Sequence, residues 1–143
     1  MIAKSLAAWL SPTRVVHAHC DLPCGVYDPA QARIEAESVK AVQARYQAPD
    51  KFKTAGETVE DYRARCLQIK EERANLVKEH LWVLWTDYFK PEHLEAYPQL
   101  HELFWKATKE AGAAKKSQDP EQGEKLLTLI DEIAKIFWET KAA

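Results

Sequence analysis

The sequence predicts an all-α fold, an up-and-down four-helix bundle, and three observations predict it. Glycine occurs only four times in 143 residues, while the good helix formers Ala, Leu, Glu, Lys and Gln are abundant. Apolar residues recur at three-and-four spacing in four separate stretches, each bounded by proline, glycine or a polar link. No stretch shows the strict alternation of a half-buried strand, and there is no internal repeat. Four helices with short connections lie antiparallel and side by side, and a body of roughly 120 residues can bury enough apolar surface to stand alone.

The first helix starts at Asp28-Pro29, an acceptor side chain followed by proline, and runs to about Gln47, before Ala48-Pro49-Asp50. Glu35, Val39, Val42 and Tyr46 share one of its faces, which puts a carboxylate in line with an apolar stripe. The second runs from Thr58 to about Tyr88, with Tyr62, Cys66, Ile69, Arg73 and Leu76 as its stripe, so Arg73 is expected on the buried face. Pro91 ends that segment. A third begins at or after Pro98, carries Leu100, Leu103, Phe104 and Ala107, and fades at Ala111-Gly112-Ala113 before a polar link from Lys115 to Pro120. The fourth, with Leu126, Leu127, Ile130, Ile133, Ile136 and Phe137, is amphipathic to the C-terminus. Trp82, Trp85, Trp105 and Trp138 are expected to pack between helices, a subunit interface being their other use.

Composition excludes several classes. The 46% hydrophobic and 29% charged content is that of a globular chain and argues against disorder. A net charge of −2 gives no electrostatic case for nucleic acid. No apolar run approaches the roughly 20 residues of a membrane span. Three cysteines make an odd count, so a fully paired disulfide framework within one chain is excluded. Cys66, alone on an apolar stripe, reads as a buried core residue.

Residues 1–18 read as a leader. Lys4, the apolar patch Leu6–Leu10 and Val16-His17-Ala18 faintly resemble a secretory signal, but Ser11-Pro12 stops the patch short of the roughly 7–15 residues such a core needs. An ordinary N-terminal tail is the other reading. The residues directly after Ala18 favour a pro-segment removed in the cytoplasm. His19-Cys20-Asp21-Leu22-Pro23-Cys24 packs a histidine, two cysteines and a proline into six residues, and Pro23 and Gly25 supply turn chemistry.

Cleavage after Ala18 makes His19 the N-terminus. Its amine and imidazole, the Cys20 amide nitrogen and the thiolates of Cys20 and Cys24 can then converge on one metal ion. Nitrogen and thiolate donors in a plane suit nickel or copper, with the imidazole above the plane, and bring a one-electron couple within reach. A zinc finger would need a second Cys/His pair at finger spacing, and the rest of the chain has none. A disulfide or thiol redox pair stands beside the metal reading on the residues alone.

The segment His19–Pro29, continuing through Ala30 to Ser38, resembles the N-terminal hook and first helix of nickel superoxide dismutase. Leu84-Trp85-Thr86-Asp87-Tyr88-Phe89-Lys90-Pro91 and the closing Ile136-Phe137-Trp138-Glu139-Thr140-Lys141 resemble the same family. The similarity spans residues 19–143, is densest in the hook (19–27), and departs around Ala48–Glu57 and Gly112–Gly123. The resemblance implies a homohexamer of four-helix bundles with one nickel ion per subunit and a leader removed by a protease. It implies His19, Cys20 and Cys24 as nickel ligands and Glu35 with Arg73 as supports of the His19 ring. It implies Tyr27 and Asp21 along the approach of a small anion, Tyr88 close by, and a cis Leu22-Pro23 bond. Without the resemblance, Glu35 and Arg73 read as an ordinary bundle ion pair, and Tyr27 and Asp21 as turn residues.

The expected activity is disproportionation of superoxide to dioxygen and hydrogen peroxide through Ni(II) and Ni(III), in a cytoplasmic protein with no nucleic-acid or membrane partner. Two other readings stand beside it. One is a nickel or copper carrier without turnover; the other is a structural bundle whose Cys20 and Cys24 form a disulfide.

Overall fold

The computed structural model describes residues 25–142. They form helix α1 (Ala30–Gln47), a 3₁₀ turn (Pro49–Lys51), α2 (Val59–Val83) with a π-helical turn (Leu84–Tyr88), the short α3 (Pro91–Ala96), α4 (Leu100–Lys116) and α5 (Pro120–Ala142). The four long helices close a ring in which α1 packs on α2 and α5, and α4 packs on the same two. That ring is the four-helix bundle the spacing predicts.

Sequence sets the helix starts. Asp28 Oδ1 accepts from the Ala30 amide at 2.8 Å, satisfying one of the orphan donors at the head of α1. Thr58 Oγ1 accepts from the Asp61 amide at 3.1 Å and caps α2. Pro91 ends the second segment and also opens α3, at the first helical turn where its missing N–H costs nothing.

The buried lines of α1 and α2 are rotated from the expected stripes. On α1 the buried residues are Ala32, Ala36, Val39 and Gln43, with Glu35, Val42 and Tyr46 on the flank. On α2 they are Tyr62, Cys66, Lys70, Ala74, Val77 and Leu81, while Ile69 is exposed and Arg73 half-buried. The reason is the alanines. Ala32, Ala36 and Ala74 are wholly buried and let α1 and α2 approach closely, so large neighbours are displaced to the seam. In α4 and α5 every residue of the expected stripes is buried. Helix α4 does not fade at Gly112 but runs to Lys116, because Ala111 and Ala114 are buried against the ring. Packing there outweighs the ~1 kcal/mol that a mid-helix glycine costs.

Two buried polar groups finish the end of α4. The Lys70 ammonium, 1% exposed, donates to the Ser117 carbonyl at 2.7 Å. Gln43 Nε2 donates to the same carbonyl at 3.1 Å and to Ala114 at 3.4 Å. A cation and an amide thus meet carbonyls that the helix leaves unpaired. Burial pushes the Lys70 amine below its usual range, against the pull of Glu71.

The tryptophans correct the expectation of interhelical packing. Trp85 packs against the core, but Trp82, Trp105 and Trp138 are 51%, 58% and 50% exposed. Cys66 is buried with a free thiol, as expected. Among the described residues no helix is long and apolar enough to cross a membrane.

Candidate metal centre

The expected ligands His19, Cys20 and Cys24 lie outside the described residues, as do Asp21, the Leu22-Pro23 bond and the leader. What the structure places is the last part of the hook, residues 25–27, and the residues they meet. Gly25 has φ +69°, a left-handed conformation that costs glycine nothing and strains other residues. Val26 is exposed; Tyr27 turns back and packs against the core.

Tyr27 meets Tyr88. Their ring centroids are 5.8 Å apart at 58°, within the tilted geometry that aromatic pairs favour. The π-helical turn delivers Tyr88: the Phe89 amide donates to the Leu84 carbonyl at 3.0 Å, five residues back. Such a turn takes in one extra residue and rotates the chain beyond it. Tyr88 then packs on Phe137 at 4.3 Å and stacks on His93 at 5.7 Å. Its hydroxyl lies 2.9 Å from Thr140 Oγ1 on the last turn of α5.

Glu35 and Arg73 pair across the α1–α2 seam. Arg73 Nη1 donates to both Glu35 carboxylate oxygens, at 3.3 and 3.2 Å, and Glu72 lies 4.0 Å from Nη2. The Glu35 side chain is 14% exposed and that of Arg73 37%. The carboxylate is therefore held in place by a guanidinium that keeps contact with solvent.

Among the described residues no group of three or more His, Cys, Asp or Glu side chains is placed to hold a metal ion. The hook offers thiolate and nitrogen, donors that fit a soft-to-borderline transition metal and not magnesium or calcium. Cys66 is locked in the core, which leaves Cys20 and Cys24 as the remaining thiols.

The sequence model of the nickel-containing superoxide dismutases matches residues 14–141. The chain belongs to that family. It is 55% identical over 138 residues to the nickel superoxide dismutases of Streptomyces seoulensis and Streptomyces coelicolor, covering 96% of this chain and 99% of each relative. A native nickel superoxide dismutase structure is 57% identical with a TM-score of 0.77, covering 87% of this chain and all of its own. A chain with nickel ligation of the oxidised state reaches 58% and 0.79, and another shows the ligation after partial reduction. Three solved variants of such an enzyme replace a first-position histidine by alanine, a third-position aspartate by alanine and a ninth-position tyrosine by phenylalanine.

Of the family residues expected here, the structure joins Glu35 to Arg73 and Tyr27 to Tyr88. It also shows two residues to which sequence reasoning assigns no role. Thr140 and Lys141 stand in the matching C-terminal segment, and they touch Tyr88 and Tyr27 respectively. No spacing rule links them to Tyr27, because 114 residues separate Lys141 from it in the chain.

Proposed function

We propose that the family's reaction runs in this chain at a hook formed by residues 19–27 once the leader, residues 1–18, has been removed. The reaction is the disproportionation of superoxide to dioxygen and hydrogen peroxide. The observation that carries the reading is the match of the nickel-containing family over residues 14–141, across a chain that retains the hook's histidine and both cysteines.

The register supports the cleavage point. His19, Asp21 and Tyr27 have the spacing of the first-position histidine, third-position aspartate and ninth-position tyrosine of the solved variants. The solved native chain is wholly covered by 87% of this one, whereas the curated relatives cover 96% of it, which suits a leader missing from the former.

His19 through its amine and imidazole, Cys20 through amide nitrogen and thiolate, and Cys24 through thiolate would hold the ion. Nickel, when bound, supplies a Ni(II)/Ni(III) couple that takes an electron from one superoxide and gives it to another. Glu35, fixed by Arg73, would orient the His19 ring. Tyr27 and Asp21 line the approach of the anion, and Tyr88 backs Tyr27. Protons for the peroxide product come from Tyr27 and ordered water. Exclusion of bulk water from the hook would also protect the thiolates, which peroxide oxidises.

The assembly is a homohexamer in the cytoplasm, released from its leader by a protease, with no nucleic-acid or membrane partner. The half-exposed Trp82, Trp105 and Trp138 support subunit contacts, since tryptophan is enriched where surfaces meet. No observation favours a carrier without turnover or a hook disulfide.

The test is superoxide decay, followed by pulse radiolysis, with nickel-loaded protein beginning at His19. Decay far above that of free nickel ions is expected. Protein holding one nickel per chain that leaves the decay unchanged would overturn the reading.

A further inference from the structure

We propose that the last turn of α5 is a positioning clamp for the exit of the hook, in which Lys141 holds the Tyr27 backbone and Thr140 holds the Tyr88 hydroxyl. The proposal rests on the reading of Tyr27 and Tyr88 as residues of the anion's approach.

Two independent contacts converge from one turn of helix. Lys141 Nζ donates to the Tyr27 carbonyl at 3.1 Å. Thr140 Oγ1 lies 2.9 Å from the Tyr88 hydroxyl, and the tyrosines face each other at 5.8 Å. The Thr140 hydroxyl also donates to the Phe137 carbonyl at 2.8 Å, so its one proton is spent there. That leaves it to accept from Tyr88, whose hydroxyl also lies 3.4 Å from the Phe137 carbonyl, so the last turns of α5 draw the phenolic O–H toward them.

The same geometry fixes the lysine. Its ammonium lies 5.1 Å from the Phe137 ring centroid and 5.5 Å from that of Trp138, within cation–π reach of both. A long flexible side chain at a helix end is thereby held on one side of the helix, the side facing Tyr27. A cation near the last carbonyls is also favoured by the helix dipole. Gly25, near the end of the hook, has no side chain to restrain its backbone. A restraint two residues later, at Tyr27, fixes the backbone where the hook meets the bundle.

The consequence is a division of labour. Thr140 sets which way the Tyr88 hydroxyl points and, through ring packing, the tilt of Tyr27. Lys141 sets the position of the Tyr27 backbone. Neither touches the anion, so both act through the tyrosines.

The test uses the processed, nickel-loaded protein. Lys141→Met should raise the rate of chymotryptic cutting after Tyr27 by roughly three- to tenfold, the factor one net hydrogen bond implies, and Lys141→Arg should restore it. Thr140→Val should raise the KM for superoxide several-fold with kcat nearly constant, and Thr140→Ser should restore it. Thermal midpoints of all four variants should stay close to that of the parent. Cutting and KM unchanged in Lys141→Met and Thr140→Val would overturn the clamp. Tyr88→Phe separates the two readings. If it shifts KM while Thr140→Val does not, the clamp alone fails; if it leaves KM unchanged, the tyrosine reading fails first and takes the Thr140 half with it.

Discussion

Lys70 reaches the Ser117 carbonyl at 2.7 Å and is among the largest fully buried side chains of the protein's described residues. A buried lysine without a bonded carboxylate holds its proton less tightly than in the unfolded chain. Between its lowered folded value and the ordinary value near ~10.4, the unfolded state binds the extra proton, so this residue makes stability rise with pH. Below the folded value the penalty of the buried charge is present in full.

Lys70→Met should therefore remove that dependence. Denaturant midpoints compared between the two proteins from neutral to alkaline pH should converge or cross as pH rises, the parent gaining on the variant. Parallel midpoints throughout the range would show that burial does not perturb this lysine.

Glycines 112 and 123 should respond in opposite directions. A Cβ on Gly123 would lie 2.6 Å from Lys40 Cβ and 2.7 Å from its Cα, so α1 and α5 would have to separate. Gly123→Ala should cost about 1–3 kcal/mol. A Cβ on Gly112 meets only the Lys78 side chain, whose ammonium is 3.3 Å away on a flexible stem. Gly112→Ala should stabilise by up to ~1 kcal/mol through helix propensity. Thermal unfolding of the two variants reads both signs.

Arg73→Met separates support of the metal from support of the fold. With Arg73 37% exposed, losing its bond to Glu35 should cost less than about 1 kcal/mol after solvent screening. Activity or nickel affinity should fall by roughly 10- to 100-fold if Glu35 orients His19. A variant with parental activity would reduce Glu35 and Arg73 to an ordinary ion pair.

A chain that keeps residues 1–18 should be inactive when loaded with nickel, because the His19 nitrogen would be an amide and not a free amine. Removing nickel from the processed form should abolish activity and leave the helical circular dichroism intact, since the core of the ring is drawn almost wholly from α1, α2, α4 and α5. Loss of helix on metal removal would make the ion a folding element instead.

The hook and the caps are legible in the chain because their chemistry is local. A histidine, two cysteines and a proline within six residues, or an aspartate before proline, carry their meaning in the chain itself. The stripe of α5 is legible because its large apolar residues repeat without interruption. The stripes of α1 and α2 are not, since their buried line runs through alanines that polarity and size do not flag.

The sequence by itself determined the helical class, the order of the long helices, the donor atoms available to a metal and the family. These follow from residue type and short-range spacing, which the chain carries wherever it folds. Only the tertiary structure decided that Lys70 is buried, that three tryptophans face outward, that α4 continues through Gly112, and that Lys141 reaches Tyr27. Each depends on how closely two helices approach and at what rotation, a property of the packed ring that no single stretch of residues contains.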